Sequence, residues 1–151
     1  MGWLDSLHGN LVGFDTMPLI YYIEEHPNYS NVVDPFFEAI ERSEFKVVTS
    51  IVTLLEVLVH PMRNGDTILA QKYRDLLFDT EGLSTIELDQ EIAEEAARLR
   101  ASYKIRTPDS IQMATAISVG ASFFLTNDTH LPSLPNLKTL VLEDLKKGSE
   151  G

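Results

Sequence analysis

Short apolar runs alternate with longer segments of helical periodicity along most of the chain, and this alternation limits the possible fold more than any other feature. Runs of β-branched, aromatic and other apolar residues predict strands at 11–14, 46–50, 83–88, 121–125 and 137–142. Strands that alternate with helices are typical of α/β folds. We therefore expect a three-layer sandwich around a central, mainly parallel sheet of four to five strands.

Helix boundaries are marked by capping residues and prolines. Asp66 and Asp89 have the positions of N-caps, and the Thr107 hydroxyl is expected to cap a helix that has Pro108 in its first turn. Pro61 is expected to end the helix that contains His60, which favours a structural role for this histidine over metal binding. The predicted helices run from after Pro18 to His26 and over 32–43, 51–60, 66–77, 91–103 and 107–119.

The length indicates one domain over residues 1–151, since 151 residues are enough to build one hydrophobic core. We expect that core at about 10–142, between a short leader of unassigned role (residues 1–9) and a polar tail (146–151). There are no cysteines, which excludes thiol chemistry and Cys-based zinc sites and fits a reducing compartment. No window resembles a membrane span or a signal peptide, so the expected location is the cytoplasm and no membrane partner is expected.

The formal net charge of −11 disfavours general binding of polyanions, because phosphate contacts require Lys and Arg. The basic residues are unevenly spread, however. One group of four lies just before Asp109, and a second group lies further upstream; the members are Arg98, Arg100, Lys104 and Arg106, and Arg63, Lys72 and Arg74. Either group forms a local rim for phosphates or a solvated helix face, and the sequence leaves both interpretations open.

Several acids lie where the predicted strands and helices place functional groups. Asp15 ends the first strand, Asp128 follows the fourth, and Asp109 is in the first turn of a helix. Glu56 is the only charge in the apolar segment 51–59, where an unpaired carboxylate is costly. Each acid alone has a structural explanation, but four carboxylates at one sheet edge require protonation or a divalent cation. Oxygen ligands favour Mg²⁺ or Mn²⁺.

In these acids and the residues around them, the chain resembles the PIN domain family, and most closely the VapC-type toxins of bacterial and archaeal toxin–antitoxin modules. The resemblance covers about residues 10–142. Four motifs in order carry it, at 13–22, 53–59, 108–116 and 124–128.

The resemblance implies an Mg²⁺- or Mn²⁺-dependent endoribonuclease, the toxin of a toxin–antitoxin pair. Asp15, Glu56, Asp109 and Asp128 match the acidic site positions of the family, and Thr126 matches a supporting position. The expected metal ligands are Asp15 and Asp109, helped by Asp128. Glu56 either holds a second metal through water or orients the attacking hydroxide. Attack by metal-activated water should leave a 5′-phosphate.

Other functions fit the sequence less well. A haloacid-dehalogenase-like phosphatase has a second Asp two residues after the first, where this chain has Met17. A receiver domain lacks support because there is no acid pair before the first strand. The remaining alternative is a catalytically idle PIN-like scaffold that binds RNA or protein, although such scaffolds usually lose acids that this chain retains.

The expected partners are an RNA substrate, a cognate antitoxin and a second copy of the chain. The homodimer is predicted from the aromatic residues Tyr21, Tyr22, Phe36 and Phe37, which exceed what a small monomer needs. The antitoxin is expected to place a basic side chain, most simply an arginine, against the acidic cleft.

Overall fold

Five parallel strands form a single sheet in the computed structural model, which describes the backbone of residues 2–150 and the side chains of residues 2–146. The strands are β1 (Leu11–Phe14), β2 (Lys46–Ser50), β3 (Leu83–Ile86), β4 (Phe123–Thr126) and β5 (Lys138–Val141). Their order in the sheet is β3-β2-β1-β4-β5, and every neighbouring pair is parallel. The predicted α/β sandwich is confirmed.

Helices cover both faces of this sheet. They are a 3-10 helix (Trp3–Leu7), α1 (Thr16–Ile23), α2 (Ser30–Glu41), α3 (Ile51–Arg63), α4 (Thr67–Asp79), α5 (Gln90–Ser102), α6 (Thr107–Ser118) and α7 (Leu142–Glu150). In the described part of the chain, no helix is both long and apolar enough to cross a membrane.

The core is divided by the sheet into two clusters. The larger contains buried residues of α1, α2, α4 and the 3-10 helix, such as Leu19, Phe36 and Tyr73. The smaller joins α5 and α6 to the other face through Ile92, Met113 and Phe124. The sheet therefore has an apolar layer on each side, which explains why the central strands β1 and β4 are nearly continuous apolar runs in the sequence.

The close packing of α6 on β1 depends on a glycine. A Cβ atom placed on Gly13 would lie 2.6 Å from the Cβ of Ala116 and 3.1 Å from the ring of Phe124. Small residues on both elements let α6 approach the sheet, and this brings the first turn of α6 towards the end of β1.

Several helix and strand boundaries differ from the prediction by a few residues, and three of the differences have a clear physical reason. α3 does not end at Pro61 but continues to Arg63, and the proline ring is buried, which offsets the missing backbone hydrogen bond. Thr107 is the first helical residue and not the cap, because the Arg106 carbonyl accepts the first hydrogen bond, from the backbone N–H of Ser110, at 2.9 Å. β3 stops at Ile86, since its partner β2 ends at Ser50 and turns into α3.

Both ends of the chain contain more structure than expected. In the leader, Leu7 is completely buried, and Trp3 stacks on Phe36 with ring centroids 5.9 Å apart. At the other end, α7 begins at the buried Leu142, and its backbone continues through Glu150 into the segment predicted as a polar tail. Acidic residues in the first turn of α7 stabilise it through their interaction with the positive end of the helix dipole. Met1 and Gly151 lie outside the described residues.

The aromatic residues from which a dimer was predicted belong mainly to the core of one chain. Phe36 and Phe37 are 0% and 4% exposed, and Tyr22 stacks on Phe37 at 4.4 Å. Tyr21 is also buried. This argument for a dimer surface is therefore wrong.

Candidate active site

The site lies at the carboxyl ends of β1 and β4, where the chain changes direction across the sheet. From β1 the chain continues to β2 and β3 on one side, and β4 then pairs with β1 on the other side. Such switch points open a crevice where parallel sheets bind ligands. Asp15 follows β1 directly, and its backbone N–H donates to the Leu125 carbonyl of β4 at 3.2 Å.

Asp15 is the most buried acid of the site, with 5% of its surface exposed. The Thr126 hydroxyl donates to its Oδ2 at 2.5 Å, whereas Oδ1 is buried and has no hydrogen-bond partner. Asp15 is also the N-cap residue of α1, yet its side chain makes no capping hydrogen bond. The carboxylate thus serves neither the helix nor an ion pair, and one oxygen is available to a ligand.

Burial and neighbouring acids disfavour the ionised form of Asp15. Burial contributes most and raises the pKa of Asp15 to about 7; the Thr126 hydrogen bond lowers this pKa, and Asp109, Asp128 and Glu56 raise it further. The pKa of Asp109 is also raised, first by burial and then by Asp128 and Glu56, while Arg106 lowers it. The four predicted acids therefore interact electrostatically as one group.

Glu56 enters the cleft from α3, which begins directly after β2. Its Oε1 accepts from the Thr16 hydroxyl at 2.5 Å and lies 3.3 Å from the side-chain nitrogen of Gln112. These contacts explain how one charge is tolerated in the otherwise uncharged segment 51–59 of this helix. They also fix the position of the carboxylate.

Asp128 lies at the outer edge of the site. Its backbone N–H donates to the Thr126 hydroxyl at 3.0 Å, so Thr126 contacts both Asp15 and the loop that carries Asp128. The side chain of Asp128 is 39% exposed, and its Oδ1 lies 3.4 Å from Nδ1 of His130, a histidine that is almost fully exposed.

All four predicted acids line one cleft of about 260 Å³. The cleft is lined by Asp15, Thr16, Met17, Tyr21, Glu56, Arg106, Asp109, Gln112, Asn127 and Asp128. A larger groove of about 670 Å³, lined by residues such as Leu99, Tyr103 and Leu134, contains none of these acids. The four interacting carboxylates thus lie in the smaller cleft, which makes it the candidate active site.

Comparison with protein families decides the identity of the fold. The sequence matches the PIN domain family over residues 13–137. The chain belongs to the PIN domain family. The match begins at Gly13, at the end of β1, and extends almost to β5, so this PIN domain includes every residue assigned to the cleft.

Solved structures share the PIN architecture over most of their length. A toxin–antitoxin complex from Klebsiella pneumoniae contains a chain 25% identical to this PIN domain, with a TM-score of 0.62, covering 85% of this chain and 95% of that chain. VapBC2 from Rickettsia felis, bound to a DNA fragment from its promoter, gives 18% identity, a TM-score of 0.67 and coverages of 87% and 98%. DNA-bound VapBC from Salmonella typhimurium contains a chain with 16% identity and a TM-score of 0.60, and the match covers 88% of this chain and 98% of that chain. Curated proteins gave no match.

The basic residues of this PIN domain are divided between the cleft and other surfaces. Of the group before Asp109, only Arg106 lines the cleft. Arg98 forms an ion pair with Glu95 at 2.8 Å, and Nε of Arg100 donates to the Ile105 carbonyl at 3.0 Å. The four residues therefore do not act as one rim.

The donor set fits a hard divalent cation, because it consists of carboxylate oxygens and includes the unpartnered buried Oδ1 of Asp15. Among the described residues, however, no three acidic or histidine side chains are arranged to hold a metal ion as they stand.

Sequence reasoning named Thr126 as a neighbour of the acids but missed their other polar neighbours. Gln112 and Thr16 contact Glu56, while the Asn127 side chain donates to the Tyr21 hydroxyl at 3.2 Å. Gln112 lies three residues after Asp109 on α6, and this spacing places it on the same helix face. A glutamine among small and apolar residues was the one available signal for it.

Proposed function

We propose that this PIN domain is an endoribonuclease that depends on Mg²⁺ or Mn²⁺ and acts as the toxin of a toxin–antitoxin pair. PIN domains are generally nucleases, which supports the reaction class. The observation that carries the proposal is the buried, unpartnered oxygen of Asp15 in a cleft shared with three other acids. No specific observation favours the idle scaffold, since every predicted acid is present in the cleft.

Asp15, Asp109 and Asp128 would hold the cation, and Glu56 would complete the acidic set. A bound Mg²⁺ or Mn²⁺ supplies polarisation of a phosphoryl oxygen and a lowered pKa of a coordinated water. The Thr126 hydroxyl holds Oδ2 of Asp15, and the other carboxylate oxygen is left without a hydrogen-bond partner.

The remaining steps belong to side chains of the protein. Glu56 accepts a proton from the water that attacks the phosphorus, since its carboxylate is fixed by Thr16 and lines the cleft. Arg106 is the basic residue that lines the cleft, and its guanidinium would bind a substrate phosphate. In-line attack breaks the bond to the 3′ oxygen and leaves a 5′-phosphate and a 3′-hydroxyl.

The proposed protein partner is an antitoxin, because the similar Klebsiella pneumoniae structure is a toxin–antitoxin complex. A basic side chain of the antitoxin would pair with the cleft carboxylates and compete with the cation. Exposed apolar side chains of α3, including Leu55 and Val59, are 65% and 45% exposed and lie on the helix that carries Glu56. The antitoxin segment would cover this surface next to the cleft.

The homodimer also remains a proposal, now without support from the buried aromatic residues. Apolar side chains that remain exposed at the α3–α4 corner, Met62 at 59% and Ile68 at 73%, provide its basis. Light scattering at tens of micromolar protein should give the mass of a dimer. A monodisperse monomer would remove the homodimer from the proposal.

The test of the proposed reaction is RNA cleavage by the purified protein with Mg²⁺, with Mn²⁺ and with EDTA. We expect cleavage with either metal, none in EDTA, and 5′ ends that accept a labelled phosphate only after phosphatase treatment. Asp109→Asn and Glu56→Gln should abolish cleavage while the proteins remain folded. Cleavage in EDTA, or wild-type rates in either variant, would overturn the proposed mechanism.

A further inference from the structure

A buried chain of hydrogen bonds connects the end of β1 to the cleft. The Thr49 hydroxyl donates to the Phe14 carbonyl at 2.8 Å, and the Thr53 hydroxyl lies 2.7 Å from the Thr49 hydroxyl. The side-chain nitrogen of Gln112 then donates to the Thr53 hydroxyl at 3.0 Å. Thr49, Thr53 and Gln112 are each at most 2% exposed, so these groups depend on one another for hydrogen bonds.

The hydroxyl hydrogens in this series of hydrogen bonds can be arranged in only one direction. A hydroxyl has one hydrogen to donate, and that of Thr49 is used by the Phe14 carbonyl. The hydrogen between the two threonines must therefore come from Thr53, whose oxygen is left to accept from Gln112. This requirement fixes the orientation of the Gln112 amide, with its NH₂ group towards Thr53.

The same NH₂ group reaches the catalytic side of the cleft. It donates to the Thr16 hydroxyl at 2.8 Å and lies 3.3 Å from Oε1 of Glu56, and Thr16 in turn donates to that same oxygen. A reversed amide would place its oxygen against the Glu56 carboxylate. The cost of the observed orientation is that Oε1 of Gln112 is buried without a hydrogen-bond partner.

We propose that Gln112 is a positioning residue. The two hydrogens of its NH₂ group bond Thr53 and Thr16, and Thr16 in turn holds the Glu56 carboxylate in the cleft, while Thr53 and Thr49 fix the orientation of the amide. The catalytic consequence rests on the proposed nuclease function. The geometric part of the proposal, an amide of fixed orientation next to Glu56, does not depend on the nuclease function. An unpaired buried oxygen is tolerated here because the opposite end of the amide orients a functional carboxylate.

The first experiment compares Gln112→Met with Thr115→Val in Mn²⁺ affinity by calorimetry, in RNA cleavage and in melting temperature. Thr115 is a matched control, since it is a buried polar residue of the same helix whose hydroxyl bonds only within α6, to the Ile111 carbonyl. Loss of an outer hydrogen-bond partner of the acids at a metal site typically lowers metal affinity or activity about 10- to 100-fold. We expect Gln112→Met to lower kcat and Mn²⁺ affinity in this range, with KM for RNA unchanged.

The control should retain wild-type kcat and Mn²⁺ affinity, whatever its melting temperature. Equal kcat and equal Mn²⁺ affinity in Gln112→Met and in the control would overturn the positioning role. If the wild-type protein neither binds Mn²⁺ nor cleaves RNA, the proposed function fails. The placement of Gln112 is then judged by a second measurement that needs no activity.

That second measurement is the NMR signal of the Gln112 side-chain NH₂ in ¹⁵N-labelled protein, assigned from its selective loss in Gln112→Asn or Gln112→Met. We expect two protons that exchange slowly with solvent and signals that shift in Glu56→Gln and in Thr53→Val. Fast exchange, or signals unchanged by Glu56→Gln, would show that the amide does not hold Glu56. This readout remains available if Gln112→Met does not fold, because it uses the wild-type protein and substitutions at its neighbours.

Discussion

At the scale of single residues, the central feature is Asp15, a carboxylic acid whose ionised form is disfavoured by its burial. Asp15 is buried, its Oδ1 has no partner, and its pKa is raised to about 7. A folded-state pKa above the unfolded value means that the folded protein binds the proton more tightly. The resulting stability is present in full below the unfolded pKa of 3.8 and is lost as the pH rises through about 7.

Asp15→Asn should therefore stabilise the metal-free protein at pH 8 and leave its stability nearly unchanged at pH 4. The difference in the free energy of unfolding at pH 8 is expected to be on the order of 4 kcal/mol, from about 1.4 kcal/mol per pKa unit. Urea unfolding in EDTA at the two pH values measures it. Asp79→Asn, at an exposed position of α4, is the control and should show no such gain. An Asp15→Asn protein no more stable than wild type at pH 8 would contradict the raised pKa.

Arg106 and Arg98 differ in position although both belong to the same basic group of the sequence. Arg106 lines the cleft, whereas Arg98 is paired with Glu95. In a Glu56→Gln background that does not cleave, Arg106→Ala should weaken RNA binding and reduce the salt dependence by a slope of about 0.7, the value for one phosphate contact with a single strand. Arg98→Ala should leave affinity and slope unchanged. Equal effects of the two substitutions would exclude a specific phosphate contact at Arg106.

The acids of the cleft were predictable from sequence, and their polar neighbours largely were not. Asp15 and Asp128 each follow a strand, and parallel strands end at one sheet edge, so their proximity follows from the fold class. Gln112 contacts Thr16, which is 96 residues away in the chain, and no local pattern encodes such a contact. For the same reason the sequence could not single out Arg106 as the basic residue that lines the cleft, since the direction of an exposed side chain depends on how α5 and α6 pack.

At the scale of elements, the site depends on how closely α6 approaches β1. Gly13 has no room for a side chain because the Cβ of Ala116 occupies the space, and α6 carries both Asp109 and Gln112. A methyl group at position 13 would push the helix away from the sheet. The distance between Asp15 and Asp109 therefore depends on this glycine, because it allows α6 to lie close to β1.

Gly13→Ala should destabilise the protein by about 1–3 kcal/mol, the usual cost of overpacking a core. Gly2→Ala is the control, because a Cβ there meets nothing within 4 Å. Thermal unfolding of Gly13→Ala, Ala116→Gly and the double variant measures the coupling, and the double variant should be less destabilised than the sum of the single variants. Strict additivity would show that the two positions do not compete for space.

The 3-10 helix of the leader completes the larger core cluster, in which Leu7 is fully buried. Leu7→Ala should lower the free energy of unfolding by about 2–5 kcal/mol while RNA cleavage well below the melting temperature stays unchanged. Leu88→Ala, at a position 44% exposed, is the control. If Leu7→Ala is as stable as this control, the leader is not part of the core.

Elements differ in how well their sequence predicts them. β1 and β2 agree with the prediction to the residue, because β1 is a continuous apolar run that stops at Asp15 and β2 is a short run rich in β-branched residues. The leader and α7 were not recognised as parts of the fold, since each contributes only a few apolar residues, such as Trp3 and Leu142, whose burial depends on α2 and the sheet. Their stability comes from tertiary packing, which a local pattern does not contain.

At the scale of the whole molecule, the fold joins acids from four separate elements in a protein of net charge −11. The carboxylates repel one another and any RNA phosphate until a cation is bound. Cation binding should therefore both release protons from Asp15 near pH 7 and allow RNA to enter. Metal binding, proton release and RNA cleavage are expected to be linked events in one cleft.

The most direct test of this account is a calorimetric titration with Mn²⁺ at pH 7 in two buffers of different ionisation enthalpy, compared with the Mn²⁺ dependence of RNA cleavage. We predict binding that releases protons, with half-saturation at the Mn²⁺ concentration that gives half-maximal cleavage. Asp15→Asn should lose the proton release, the binding and the cleavage together. Cleavage that is independent of Mn²⁺, or full binding and cleavage by Asp15→Asn, would contradict the assignment of the cleft as a metal-dependent nuclease site.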